Sequence, residues 1–151
     1  MKKIILLLAV AAMITQAEAQ TPNMKATNVP AAVTTAFNQD HPSVKDVKWT
    51  LRDRNNYEGA YKEGKVNTYV TYDASGNLVE TRIEIADSAL PAPVLSYVKQ
   101  NYKDDKVELA LKVTAASGPV TYLARVKDMH LLFDSNGTLI RATKNKKNKY
   151  S

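Results

Sequence analysis

Few residues of this chain could do chemistry. Among 151 residues there are two histidines and no cysteine. His41 stands directly before Pro42, and His130 lies between Met129 and Leu131 in an apolar stretch. A hydrolytic triad needs a nucleophile, a base and an orienting group within reach of one another. No serine here sits on a glycine elbow, and there is no thiol to take its place. A zinc site asks for three or four ligands from His, Cys and carboxylates, and two histidines far apart in sequence are a poor start. The pattern predicts no catalytic residue, no metal site, no cofactor and no enzymatic activity.

The next candidates are two aspartate turns, Asp73-Ala74-Ser75-Gly76 and Asp134-Ser135-Asn136-Gly137. The second echoes the start of a calcium loop. An EF-hand, however, needs oxygen ligands at positions 1, 3, 5 and 12 and glycine at 6; here glycine falls at position 4. A hairpin turn explains both better, with aspartate tying the loop and glycine supplying positive φ.

These turns belong to a repeat. Moving forward 61 positions takes Pro30 to Pro91, Val33 to Val94, Tyr61 to Tyr122, Asp73 to Asp134, Gly76 to Gly137 and Leu78 to Leu139. In the first copy proline opens a helix where its missing N–H costs nothing. Val29, Val33, Ala36 and Phe37 form its apolar stripe, and His41-Pro42 stops it. Four strands follow, at Val47–Leu51, Tyr57–Lys62, Val66–Tyr72 and Leu78–Ile85, joined by short turns that make them antiparallel neighbours. In the second copy a helix begins over Asp87-Ser88-Ala89-Leu90-Pro91 with Val94, Val98 and Tyr102 inward. Its strands are Val107–Val113, Val120–Val126, Met129–Phe133 and Leu139–Thr143. One phase is ambiguous: the offset pairs Trp49 with Ala110, whereas Val107, Leu109, Leu111 and Val113 alternate. Either a bulge shifts the phase or this strand is buried on both faces.

One helix on four strands buries little apolar surface. The predicted fold is therefore α+β: two tandem helix-plus-four-antiparallel-strand repeats sharing one roughly eight-stranded sheet, with both helices on one face. The domain plan is a signal peptide over 1–19, a flexible lead-in over 20–28, repeat 1 over 29–86, repeat 2 over 87–143 and a basic tail over 144–151. Lys2 and Lys3 precede an apolar run from Ile4 to Ile14, and Ala17-Glu18-Ala19 has the small residues of a cleavage site. That run is shorter than the roughly 20 residues of a membrane span. A periplasmic or secreted protein cleaved after Ala19 is the expectation, with no membrane span.

The net charge of +6 is a matter of the ends. Residues 20 to 140 hold 14 basic and 14 acidic groups, and Arg141, Lys144, Lys146, Lys147 and Lys149 lie in the last eleven positions. Nucleic acid is not an expected partner. The tail could make weak contact with an anionic surface.

With Val70, Tyr72, Leu131 and Phe133 turned inward, strand alternation sends Tyr69, Thr71, His130 and Leu132 outward. The same parity exposes Glu58, Ala60, Lys62, Thr121, Leu123, Arg125, Glu80 and Arg82. An apolar centre with a polar rim is interface anatomy. An ordinary solvated sheet face is the alternative. Tyr69, Thr71, Arg82, Leu123, Arg125, His130 and Leu132 are the candidate partner-binding residues, whereas Trp49 and Phe37 belong to the core.

Several of these segments look familiar together. They are Val29-Pro30-Ala31-Ala32-Val33, Asp46-Val47-Lys48-Trp49, Tyr57-x-x-x-Tyr61, Val70-Thr71-Tyr72-Asp73-x-x-Gly76, Leu90-Pro91-x-x-Val94 and Leu132-Phe133-Asp134-x-x-Gly137. The chain from Val29 to Ile140 resembles the PepSY-like family of exported proteins, common in Bacteroidetes. That family is similar in fold to a β-lactamase inhibitor protein of two tandem helix-plus-sheet units. The resemblance implies a periplasmic or secreted binding or inhibitory module; with the outward residues above, the expectation is a non-catalytic module that recognises a protein or peptide through the open sheet face. No residue matches that inhibitor's enzyme-contacting loops. The alternative is a small-ligand or envelope-surface binder using the cleft between repeats and the basic tail.

Overall fold

The structure, a computed structural model, describes residues 24–25 and 28–144. The predicted signal peptide and all of the basic tail beyond Lys144 lie outside the described residues. The elements run β1 (Met24–Lys25), α1 (Ala31–Asp40), β2 (Lys48–Leu51), β3 (Asn56–Glu63), β4 (Val66–Asp73) and β5 (Leu78–Ile85). A single 3₁₀ turn (Asp87–Ala89) leads to α2 (Ala92–Asn101), β6 (Val107–Ala115), β7 (Val120–Val126), β8 (Met129–Phe133) and β9 (Leu139–Lys144). The strands form one antiparallel sheet in chain order. Eight of them are the two predicted sets of four. The ninth, β1, comes from the lead-in, where Met24 and Lys25 pair with Leu51 and Thr50.

Both helices lie on the same face. Cross-strand register carries one side of the sheet from Val70 through Thr81, Thr114 and Val120, and from Ile85 through Ala110, Ala124 and Leu131. On that side Val33 and Phe37 of α1 pack with Tyr61, Val70 and Tyr72, and Val94 and Val98 of α2 with Ala110, Ala124, Val126, Leu131 and Phe133. There are thus two cores, one per repeat. Between them Val79 and Ile83 on β5 remain 38% exposed. Phe37 anchors the first core, with Trp49 and Tyr61 edge-on at 5.3 and 5.6 Å. Such geometry adds to the area term.

Helix 2 starts later than the sequence predicts. Leu90 and Pro91 are extended, with ψ near 147° and 140°. The reason is steric: a residue before proline is driven out of the helical region. Asp87–Ala89 therefore closes only one 3₁₀ turn.

The aspartate turns are hairpin locks. Asp73 Oδ1 accepts from the backbone of Ser75 and Asn77 at 2.9 and 3.0 Å, and Asp134 Oδ1 accepts from Asn136 and Thr138 at 2.9 and 2.8 Å. The Asn77 side-chain amide, donating to Asp73 Oδ2 at 2.9 Å, and then the Asn77 backbone bond hold the Asp73 carboxyl below its usual pKa. Gly76 and Gly137 have φ of +84° and +82°. A Cβ at Gly76 would lie 2.6 Å from the Ala32 carbonyl oxygen, and one at Gly137 would lie 2.9 Å from Pro93 Cβ. Each turn therefore presses on the first turn of its own helix. Glycine is demanded twice, by conformation and by space.

The ambiguous phase of β6 resolves as a bulge. Val107 pairs with Val126 and Leu109 with Arg125, leaving Glu108 extra. Val107 thus faces the helices while Leu109, Leu111 and Val113 face the other way. Ala110 and Leu111 are both buried, so the strand is also buried on both faces at that point.

Candidate interaction face

Opposite the helices, no element among the described residues covers the sheet. Pairing arranges its side chains in rows. One runs Ala60, Tyr69, Arg82, Val113 and Thr121 from β3 to β7. The next runs Glu84, Leu111, Leu123, Leu132 and Arg141 from β5 to β9. A third runs Leu109, Arg125, His130 and Thr143. All seven candidate residues lie on this face. They fall in two groups, with Tyr69, Thr71 and Arg82 on one side of Val113 and Leu123, Arg125, His130 and Leu132 on the other.

The repeat 1 half is ionic. Glu58 is buried, and its Oε2 accepts from Arg52 Nη1 at 2.5 Å and from Arg82 Nη2. Glu80 Oε1 lies 3.3 Å from Arg82 Nε and 3.8 Å from Arg52 Nη1. The Arg82 guanidinium also stands over the Tyr69 ring at 5.4 Å, a cation–π contact. Burial, then the neighbouring Arg52, brings the Arg82 pKa down to about 10, which leaves it charged at neutral pH. Thr71 lies between Glu58 and Glu80 in the register, is buried, and its hydroxyl has no hydrogen-bond partner among the described residues. Thr71 and Arg82 therefore point the predicted way but are buried or engaged. They support the face from below, and Tyr69 is its accessible member.

The repeat 2 half is apolar with a basic border. Leu111 is 4% and Val113 9% exposed, and Leu123 and Leu132 are half-buried beside them. Arg125 Nε lies 3.3 Å from Glu108 Oε2. His130 is cross-strand to Arg125. Burial, then the Arg125 charge, lowers its pKa, so it is neutral near pH 7. Sequence parity missed Leu111 and Val113 because the bulge at Glu108 hid their phase, and missed Arg52 because it lies just beyond the expected strand end at Leu51, before the Asp53–Asn56 turn.

Elsewhere, His41 is structural. It ends α1, its backbone N–H reaches Phe37 O at 2.8 Å, and its Nδ1 lies 3.1 Å from the Tyr61 hydroxyl. Among the described residues no cluster of three metal-ligating side chains occurs and no helix is long and apolar enough to cross a membrane. An open depression of about 1010 Å³, lined by Lys45, Val47, Lys48, Tyr61, Lys62 and Tyr69 among others, lies within repeat 1, away from the cleft between repeats.

Two helix-on-sheet units that share one sheet and leave its far face uncovered define a tandem α+β protein. The chain belongs to the family described as beta-lactamase-inhibitor-like, PepSY-like, which matches it twice, over residues 15–80 and 60–141. Solved structures share the fold. A periplasmic protein from Bacteroides eggerthii is 18% identical with a TM-score of 0.69, over 78% of this chain and 89% of its own. A DUF2874 family protein from Bacteroides ovatus is 17% identical with a TM-score of 0.67, over 79% and 89%. A BLIP-like protein from Bacteroides fragilis is 19% identical with a TM-score of 0.63, over 81% and 91%. No curated protein matches the sequence.

Proposed function

We propose that this protein is a non-enzymatic binding module of the periplasm or exterior that recognises a protein or peptide through the uncovered sheet face. The observation that carries this reading is the row in which the half-buried Leu123 and Leu132 continue from the buried Leu111. It is an apolar strip bordered on one side by the Arg52–Glu58–Arg82–Glu80 network and on the other by Arg125, His130 and Arg141. A desolvated apolar centre inside a charged rim is what a specific interface needs. The ionic half is rigid before any partner arrives, which lowers the ordering cost of association. Periplasmic or secreted location draws on the leader-like N-terminus and on the B. eggerthii relative.

The test is site-specific photocrosslinking in the native envelope. A crosslinker at Tyr69 or Leu132 should yield one defined adduct, whereas one at Thr35, exposed on the helix side, should not. Leu132→Asp should remove the Tyr69 adduct while the circular dichroism spectrum is kept. Adducts from Thr35 alone, or an undiminished Tyr69 adduct in Leu132→Asp, would overturn the reading.

A further inference from the structure

The repeat supplies its own control for one feature, the outer edge of β9. Strand β5 in repeat 1 and β9 in repeat 2 are equivalent down to an irregularity. Pairing with the preceding strand jumps from Glu80 to Leu78 in one and from Arg141 to Leu139 in the other, so Val79 and Ile140 are the extra residues of matching bulges. The outer edge of β5 is filled by β6, and the Val79 carbonyl accepts from Ala116 N at 2.9 Å. The same edge of β9 carries no strand among the described residues. Ile140, at 55%, is the most exposed of the large apolar residues there. An unpaired edge with an apolar residue on it is a template for strand addition.

We propose that the outer edge of β9 accepts an added antiparallel strand from an acidic, extended peptide segment of another protein. This rests on the edge and is independent of the face reading. Charge selects the occupant. Arg141 lies at the border of the uncovered face. Lys144, three residues on, is exposed with its Nζ 3.1 Å from Asp128 Oδ2, an ion pair that an incoming carboxylate can share. The remaining sequence adds three lysines and no acid. A fitting segment carries acids opposite Arg141 and Lys144 and an apolar side chain beside Ile140.

A second copy of this chain does not fit. Docking β9 on β2 in the β5–β6 register would bring Arg141 to Arg54 and Thr143 to Arg52, both beyond the end of β2 at Leu51, so that only Lys144 would meet a strand residue. The outer edge of β2 opposite Leu51 and Thr50 is moreover already occupied by Met24 and Lys25.

Amide hydrogen exchange read residue by residue tests this, using a short extended peptide with two glutamates three residues apart, so that one can face Arg141 and the other Lys144 on the opposite side of the sheet, and its counterpart with lysines in their place. The acidic peptide should slow exchange at amides of residues 139–144, bind more weakly as salt rises, and leave the Leu123 and Leu132 amides unchanged. The variant Arg141→Glu with Lys144→Glu should bind the acidic peptide about tenfold more weakly and now prefer the basic one. Protection on β7 and β8 without β9, no difference between the two peptides, or β9 amides already protected in a concentration-dependent dimer would each overturn the proposal.

Discussion

The two repeats solve the same problem with different chemistry. At the tip of α1, the Tyr72 hydroxyl donates to Asp40 Oδ2 at 2.7 Å and Tyr61 meets His41. Burial and the Asp40 carboxylate raise the Tyr72 pKa, so it stays a donor. In repeat 2 the position of Tyr72 is Phe133, which packs edge-on to Tyr97 at 5.5 Å. The uncovered face divides likewise. Arg52 in repeat 1 corresponds to Val113, Thr71 to Leu132 and Glu80 to Arg141. Repeat 1 is held by directed polar bonds, and repeat 2 by hydrocarbon. In the duplicated fold one half of the uncovered face is ion-paired and the other is apolar.

The largest effect that would break this contrast comes from the charges. Glu58→Ala removes the buried carboxylate that both Arg52 and Arg82 meet, leaving Glu80 at 3.8 and 3.3 Å, and should destabilise by about 3–5 kcal/mol, because removing one partner strands buried charge. Leu111→Ala in the other half should cost about 2–4 kcal/mol as a cavity. Urea unfolding at low and high salt separates them, since only the Glu58 variant's loss should change with salt. Equal salt response would show the halves to be less distinct than drawn.

Next in size is Tyr72→Phe, which gives repeat 1 the residue of repeat 2. The loss should be about 1 kcal/mol, the net worth of one hydrogen bond, and should appear as a lowered midpoint at unchanged m-value.

A smaller effect concerns His130. Its folded pKa is depressed, so the unfolded chain binds more protons in the window below about 6.5. Its contribution is whole above that window and is lost as pH falls through the folded value. NMR titration of the ring should give a midpoint below the ordinary value. Arg125→Gln should raise that midpoint only in part, because burial is the larger cause. Full restoration would make Arg125 the main cause instead.

The smallest effect is at the rim. Lys144→Ala should leave the melting temperature unchanged, as exposed pairs generally do. The Asp128 carboxyl, held low chiefly by Lys144, should titrate closer to its usual range.

Much of this was legible in the sequence because strand alternation and a fixed offset are strong signals. Val70, Tyr72, Leu131 and Phe133 fixed which side is inward, and the outward set followed. What stayed hidden came from features without a residue signature. Bulges at Val79, Glu108 and Ile140 shift phase without any turn residue to mark them. The burial of Thr71 and Arg82 arises from neighbours across the sheet, which a period of two along one strand does not report. The pairing of Met24 and Lys25 is too short to show a period. The sequence reading begins α2 over Asp87–Pro91, whereas Leu90, set before Pro91, is extended and the helix starts at Ala92.

The contact of Gly76 and Gly137 with the helix starts bears on where the chain can be lengthened. Those two hairpin ends are clamped between strand and helix, so grafted loops there would pry the layers apart. The Gly64 turn is different: nothing lies within 4 Å of where a Cβ would be built. A reporter peptide or affinity handle spliced in at Gly64 should be carried at little structural cost, and that is where a probe of this protein in its own envelope should be attached.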